Sequence, residues 1–153
     1  MKLLVTGGLG FIGSNFVRYL LTQYDEIQIT NMDKLSIGSN SASLKAIETD
    51  KRYKFVKGDT ADKKLVNELV SKADSIVNIA AETHVDRSIA EHWPFIHSNT
   101  IGAVTLFEAA KMHEKLILHV STDEIYGDIS EGSFKENDKL KPSSPYSASK
   151  AAA

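Results

Sequence analysis

The sequence of 153 residues contains no cysteine. That absence removes disulfide frameworks, thiol nucleophiles and cysteine-held metal sites, and it fits a reducing compartment. Basic residues are not in excess: Lys and Arg number 18 against 20 Asp and Glu, and no long basic run offers a footprint for a phosphate backbone. Nucleic acid is therefore a poor expected partner. No apolar stretch approaches the ~20 residues of a membrane span. The opening MKLLVTGGLGFIG has an apolar run, Leu3 to Val5, far shorter than a signal-peptide core, and it runs into glycines instead of a cleavage site. The expected location is the cytoplasm. His84, His92, His97, His113 and His119 form no metal-ligand spacing, so no metal site is expected. Internal repeats and low-complexity tracts are also missing. What remains, 42% hydrophobic and 25% charged residues, suffices for one ordinary domain with a buried core.

Short β-branched or leucine-rich runs alternate with longer segments of helical period, the pattern of a parallel α/β sheet. Strands are expected at Leu3 to Thr6, Ile27 to Asn31, Tyr53 to Val56, Ser75 to Ile79 and Leu116 to Val120. Helices are expected from about Phe11 to Tyr24, over Asp62 to Lys72, where Leu65, Val66, Leu69 and Val70 share a face, and over Pro94 to Lys111. Ser36 to Ser43 and the polar stretch from Gly127 to Pro145 read as loops. Pro145 followed by YSASKAAA reads as the first turns of a helix, marginal unless packed. The expected fold is α/β, a Rossmann-like doubly wound parallel sheet over residues 1–153. A sheet of this kind usually carries a sixth strand, so a truncated chain is expected, lacking its last strands and a substrate domain.

Thr6-Gly7-Gly8-Leu9-Gly10-Phe11-Ile12-Gly13 follows a strand and opens a helix. Glycines there allow a tight turn and close approach of backbone N–H groups to a pyrophosphate, which sits on the positive end of the helix dipole. Asp33, 20 residues after Gly13, can accept hydrogen bonds from an adenosine ribose and would repel a 2′-phosphate, which favours NAD; Lys34 beside it works the other way. Asp59, after the third strand, has two readings, an adenine contact or a cap for the helix near Asp62. Ala80 and Ala81 leave room for a dinucleotide at the sheet edge or are ordinary close packing. Thr122, Asp123 and Glu124 end the fifth strand, where they can divide acid and base work or cap a helix. Tyr146 and Lys150 have a spacing that puts both side chains on one helix face, where an ammonium would favour the ionised phenol.

On these residues the chain resembles the extended short-chain dehydrogenase/reductases. The resemblance covers residues 1–153 and rests on TGGLGFIGSNF at 6–16, GD at 58–59, AAETHVDRS at 80–88, Asn99 with Gly102, HVSTDEIYG at 119–127 and YSASK at 146–150. The Ser-Thr-Asp-Glu stretch is most similar to the branch that dehydrates nucleotide-linked glucose. The 4-epimerases of the family generally lack an Asp-Glu pair there, and GDP-mannose dehydratases and UDP-glucuronate decarboxylases carry a Ser-Glu pattern.

The resemblance implies bound NAD, a dTDP-glucose substrate and a hydro-lyase reaction that yields a 4-keto-6-deoxy sugar nucleotide with no net NADH. It implies that Tyr146, helped by Lys150 and Thr122, deprotonates the C4 hydroxyl as hydride leaves C4. Glu124 would then remove the C5 proton, and Asp123 would protonate the departing C6 hydroxyl. The implied cofactor contacts are Gly7, Gly10, Phe11, Ile12 and Gly13 around the turn, Asp33 and Lys34, Asp59 and Thr60, Ala80, Ala81 and Thr83, and Asn99, with Tyr146 and Lys150 on the nicotinamide ribose. His84 and Thr122 would approach the hexose. A homodimer through the two long helices is implied as well. Family members run to roughly twice this length and carry most of the sugar-nucleotide pocket beyond these residues. The alternatives are a NAD-binding fragment without turnover, or a related UDP-sugar 4-epimerase or dehydratase.

Overall fold

A computed structural model describes residues 1–153. The parallel sheet consists of β1 (Lys2–Thr6), β2 (Gln28–Asp33), β3 (Tyr53–Lys57), β4 (Ser75–Asn78) and β5 (Leu116–His119), in the order β3-β2-β1-β4-β5. Residue alternation along the strands sends side chains to opposite faces. Leu3, Val5, Ile29 and Val77 therefore meet Val17, Leu20 and Leu21 of α1 (Phe11–Gln23) on one side. Leu4, Met32 and Ile76 meet the other helices on the opposite side. Those are Val66, Leu69 and Val70 of α2 (Lys63–Ser71) and Leu106, Ala109 and Ala110 of α5 (Gly102–Met112).

Strand order reverses between β1 and β4, because β1 pairs with β2 on one side and β4 on the other. The connections from those two strands leave in opposite directions, which opens a crevice at their carboxyl ends. Helix starts are placed by local chemistry. The Asp62 carboxylate accepts the Lys64 and Leu65 N–H groups, both at 3.0 Å, and so caps α2.

The structure departs from the sequence expectations in several places. Ser41–Ile47 is a 3-10 helix, capped by the Asn40 side chain, and it buries Leu44; the stretch had read as loop up to Ser43 because it is polar and has little apolar periodicity. A short helix, α3 (Val85–Ala90), follows β4 and was not foreseen. The helix expected over Pro94 to Lys111 is a rod of α4 (Trp93–Phe95), a π-helical turn (Ile96–Ile101) and α5. Pro94 is harmless in its first turn, where the missing N–H has no intrahelical partner to lose. After β5, Asp123–Tyr126 forms a 3-10 turn, while 127–144 is irregular as expected.

The terminal helix, α6 (Pro145–Ala151), is short but not free. Its Ser144 and Ser147 form a reciprocal capping box, and its side chains and backbone are tied to α3 and the π-helical turn. No helix of the chain is long and apolar enough to cross a membrane.

Leu106 is fully buried between α2 and the sheet. Leu106→Ala should cost about 2–5 kcal/mol and lower the urea midpoint accordingly; a loss under about 1 kcal/mol would contradict the packing described.

Candidate active site

The turn between β1 and α1 is fastened from β2. The Gly7 N–H donates to the Met32 carbonyl (2.9 Å), the Gly8 N–H to Asn31 Oδ1 (3.1 Å) and the Leu9 N–H to Asp33 Oδ2 (3.0 Å). Gly7 takes φ +74°, and a Cβ on it would lie 2.6 Å from the Ala80 backbone. A Cβ on Gly13 would lie 2.2 Å from the Gly7 carbonyl oxygen. Only glycine lets turn, helix and β4 loop approach this closely. Gly10 is the N-cap of α1 and makes no side-chain cap, so the first N–H groups of the helix, at Phe11, Ile12 and Gly13, stay open. That is the electrostatic form of an anion site.

The open helix end faces a cleft of about 400 Å³. Gly7, Gly10, Phe11, Ile12 and Gly13 form one wall, Asp33, Lys34 and residues 36–39 the second, and Thr60, Ala80, Ala81, Thr83, His84 and Ser98 much of the rest. The glycine turn and the expected ribose, adenine-side and sheet-edge residues are thus brought together. Residues 36–39, which also line the cleft, had been read only as loop.

Asp33 is buried, and its carboxylate accepts from Leu9 and Leu35 N–H groups and from the Ser39 hydroxyl. The Lys34 ammonium is 2.9 Å from Glu82 Oε1 and donates to Ser98 Oγ. Glu82 is only 3% exposed and also meets Arg87 Nη1 at 3.3 Å. Burial pushes its carboxyl up, but Lys34, Ser36 and Arg87 outweigh that and hold it below the usual carboxylate range.

Asp59 and Asn99 lie outside the cleft walls. Asp59 turns its carboxylate onto the Ala61 N–H, and the helix cap is Asp62 instead. Asn99, 1% exposed, clamps Glu82: its Oδ1 accepts the Glu82 N–H, and its Nδ2 donates to the Glu82 carbonyl and to Ser149 Oγ. Thr60 is buried against Gly102, where a Cβ would come within 2.2 Å of its hydroxyl. His84 opens α3 at φ +78°, a backbone region that costs a non-glycine residue energy and is concentrated at functional sites.

Thr122, Asp123, Glu124, Tyr146 and Lys150 form a second group outside those walls. The Thr122 hydroxyl donates to Asp123 Oδ1 (3.3 Å), accepts the Glu124 N–H, and lies beside the Tyr146 phenol. The Tyr146 ring packs edge-on against Phe95 at 6.3 Å, and its N–H donates to Ser88 Oγ.

The Lys150 ammonium, 4% exposed, donates to the Val120 carbonyl at 2.7 Å, and burial pulls it down to about 8. The Tyr146 phenol is raised, chiefly by burial and also by the Glu124 and Asp123 carboxylates, while the Thr122 hydroxyl pulls the other way.

Sequence reasoning missed Asn31, Ser88, Ser98 and Ser149, whose roles exist only through contacts between distant segments. Glu82, Arg87, Ser88 and Ser149 stand inside segments that carry the family resemblance, which was their one available signal.

A sheet that reverses order above an uncapped glycine-turn helix, with a Tyr-x-x-x-Lys helix beside its fifth strand, defines a Rossmann-type domain of the short-chain dehydrogenase/reductase kind. The GDP-mannose 4,6 dehydratase family model matches residues 4–153, and the chain belongs to that family. It is 47% identical to the dTDP-glucose 4,6-dehydratase of Actinoplanes sp., covering 99% of this chain and 49% of the relative. It is 49% identical to the low-salt glycan biosynthesis protein Agl12 of Haloferax volcanii, covering 100% and 49%. The crystal structure of DesIV, a dTDP-glucose 4,6-dehydratase from Streptomyces venezuelae with NAD and TYD bound, superposes with a TM-score of 0.94 at 45% identity, over 99% of this chain and 49% of that one. The chain spans about half the length of the curated relatives it matches.

Near the site, Nδ1 of the half-buried His119 accepts from Asn78 Nδ2 at 2.9 Å, Asn78 Oδ1 accepts from Thr6, and burial with the Lys150 charge pulls His119 down to about 4. The unfolded chain takes up this proton below about pH 6.5, whereas the folded chain resists until about pH 4. Stability from this group is therefore lost as pH falls across that window. NMR should show a neutral His119 ring down to about pH 4; titration near the ordinary histidine value would contradict the buried polar chain.

Proposed function

We propose that this chain holds NAD and carries the catalytic groups of a dTDP-glucose 4,6-dehydratase, the kind of enzyme that several of its relatives are. The observation that carries the reading is the gathering of Thr122, Asp123, Glu124 and Tyr146 at the end of β5. NAD fits the residues present: the uncapped N–H groups at Phe11, Ile12 and Gly13 suit its pyrophosphate, and the glycine contacts leave a path that a Cβ would fill. Asp33 takes an adenosine ribose hydroxyl, Asp59 and Thr60 lie toward the adenine, and Ala80, Ala81 and Thr83 border the crossing over the sheet edge. Lys34 and Asn99 brace this region through Glu82.

NAD bound there would supply reversible hydride acceptance between C4 and C6 of the sugar. The chain's own residues move the protons. Tyr146 takes the C4 hydroxyl proton, with Thr122 beside its phenol and Lys150 on the same helix face supplying positive charge. Glu124 removes the proton from C5, which the 4-keto group has acidified, and Asp123 gives a proton to the C6 hydroxyl as it leaves as water. His84 and Thr122 meet the hexose. The reading extends to a homodimer through the α5 rod, where Ile101 and Val104 are partly exposed, and to a cytoplasmic location, in keeping with a chain free of cysteine.

A second reading, NAD binding without turnover by this chain taken alone, is favoured by its covering about half of each relative. Near-attack geometry needs groups that position the sugar nucleotide, and catalytic residues without them are idle. The two readings part on one assay, formation of 4-keto sugar from dTDP-glucose in the presence of NAD.

Asp123→Asn and Glu124→Gln should each lower that formation at least about 100-fold while NAD affinity stays within about threefold. Undiminished dehydration in either variant would contradict the assignment. Tyr146→Phe should likewise remove oxidation at C4 by about 100-fold or more, with the circular dichroism spectrum unchanged.

A further inference from the structure

Lys34 follows Asp33 at the cleft wall, in the position where a cation would be expected to attract a 2′-phosphate on the adenosine ribose. The ammonium is not available for that. It lies 2.9 Å from Glu82 Oε1 and donates to Ser98 Oγ, so its charge is matched and part of its donor capacity is used.

Glu82 is well built for holding it. The carboxylate is 3% exposed, carries Arg87 on its other oxygen at 3.3 Å, and has both its backbone N–H and its carbonyl gripped by the Asn99 amide. The same Arg87 guanidinium also lies 5.6 Å from the centre of the Phe95 ring. The group on the same wall whose charge is not cancelled by a salt bridge is the Asp33 carboxylate, which repels a phosphate dianion.

We propose that Glu82 is a specificity-determining residue: by sequestering Lys34 it leaves Asp33 as the unpaired charge on the adenosine-ribose wall of the cleft and so disfavours NADP against NAD. The inference rests on the NAD-binding reading above. Discrimination of this kind requires an unfavourable element against the wrong ligand as well as a favourable one for the right ligand. Asp33 supplies the unfavourable charge, and Glu82 keeps the neighbouring lysine from cancelling it.

The test is calorimetric titration of the purified protein with NAD and with NADP, which reads affinity and needs no turnover. The unaltered protein should bind NAD and prefer it over NADP at least about 30-fold. Glu82→Gln, which keeps size and removes charge, should reduce that preference about tenfold by freeing Lys34, and adding Lys34→Met to it should restore the original preference to within about threefold. A preference unmoved in E82Q, or one that falls equally in the double variant, overturns the inference while leaving NAD binding intact.

A salt series on the unaltered protein decides the matter without any variant. Screening weakens whichever field acts at the 2′ position. With Lys34 sequestered that field is repulsive, so the preference for NAD should shrink between about 50 and 300 mM salt. A preference that grows with salt means a free cation reads the phosphate, and it overturns the proposal. Failure of NAD itself to bind overturns the underlying reading, and this one with it.

Discussion

The Asp33 carboxylate reaches from the end of β2 to the Leu9 N–H, and the Asn31 side chain beside it takes the Gly8 N–H. These two bonds, made by buried side chains of one strand, hold the glycine turn of its neighbour in place. Hydrogen bonds to an ionised acceptor are roughly twice as strong as neutral ones. A turn whose middle amides are already bonded cannot collapse onto its own helix end. The Phe11, Ile12 and Gly13 amides are thereby left as the open donors of α1. The same carboxylate also fixes the outer wall through Leu35 and Ser39. One side chain thus sets the turn, the wall and the sign of the charge that a ligand meets.

A second set of contacts carries order from the cleft to Tyr146 and its neighbours. Asn99 ties the Glu82 backbone to Ser149, Thr100 bonds the Ser149 carbonyl, and Ser88 accepts the Tyr146 N–H. A seven-residue helix is marginal by itself, yet α6 is fastened at both the tyrosine and the serine turn. Tyr146 is therefore positioned by the β4 loop, α3 and the π-helical turn together. Lys150, on the same helix, is buried and seats its ammonium on the Val120 carbonyl.

Much of this was legible in the residues. Strand positions followed from short apolar runs, and the crevice followed from the glycine turn and Asp33, because both depend on local pattern and fixed spacing. The 3-10 helix at Ser41–Ile47 was not legible, since a single buried leucine, Leu44, anchors it. The helix α3 lay hidden inside a stretch read for its chemistry. Beyond the cofactor contact that the resemblance implies, Asn99 clamps the Glu82 backbone, and Lys34, ambiguous as a cation in the sequence, is half of an ion pair. In each case the deciding partner lies more than a dozen residues away, and no periodicity encodes it. The direction of the Tyr146 shift escaped for the same reason, as it depends on burial and on carboxylates from the end of β5.

The central claim is that the pinned turn makes the α1 terminus the anion site. It is tested most directly by titrating NAD into uniformly ¹⁵N-labelled protein and following the amide resonances of residues 7–14. The account requires the Phe11, Ile12 and Gly13 amides to move downfield on binding, while Gly8 and Leu9, already bonded to Asn31 and Asp33, hold their positions. Shifts confined to Gly8 and Leu9, with the helix amides unmoved, would contradict it.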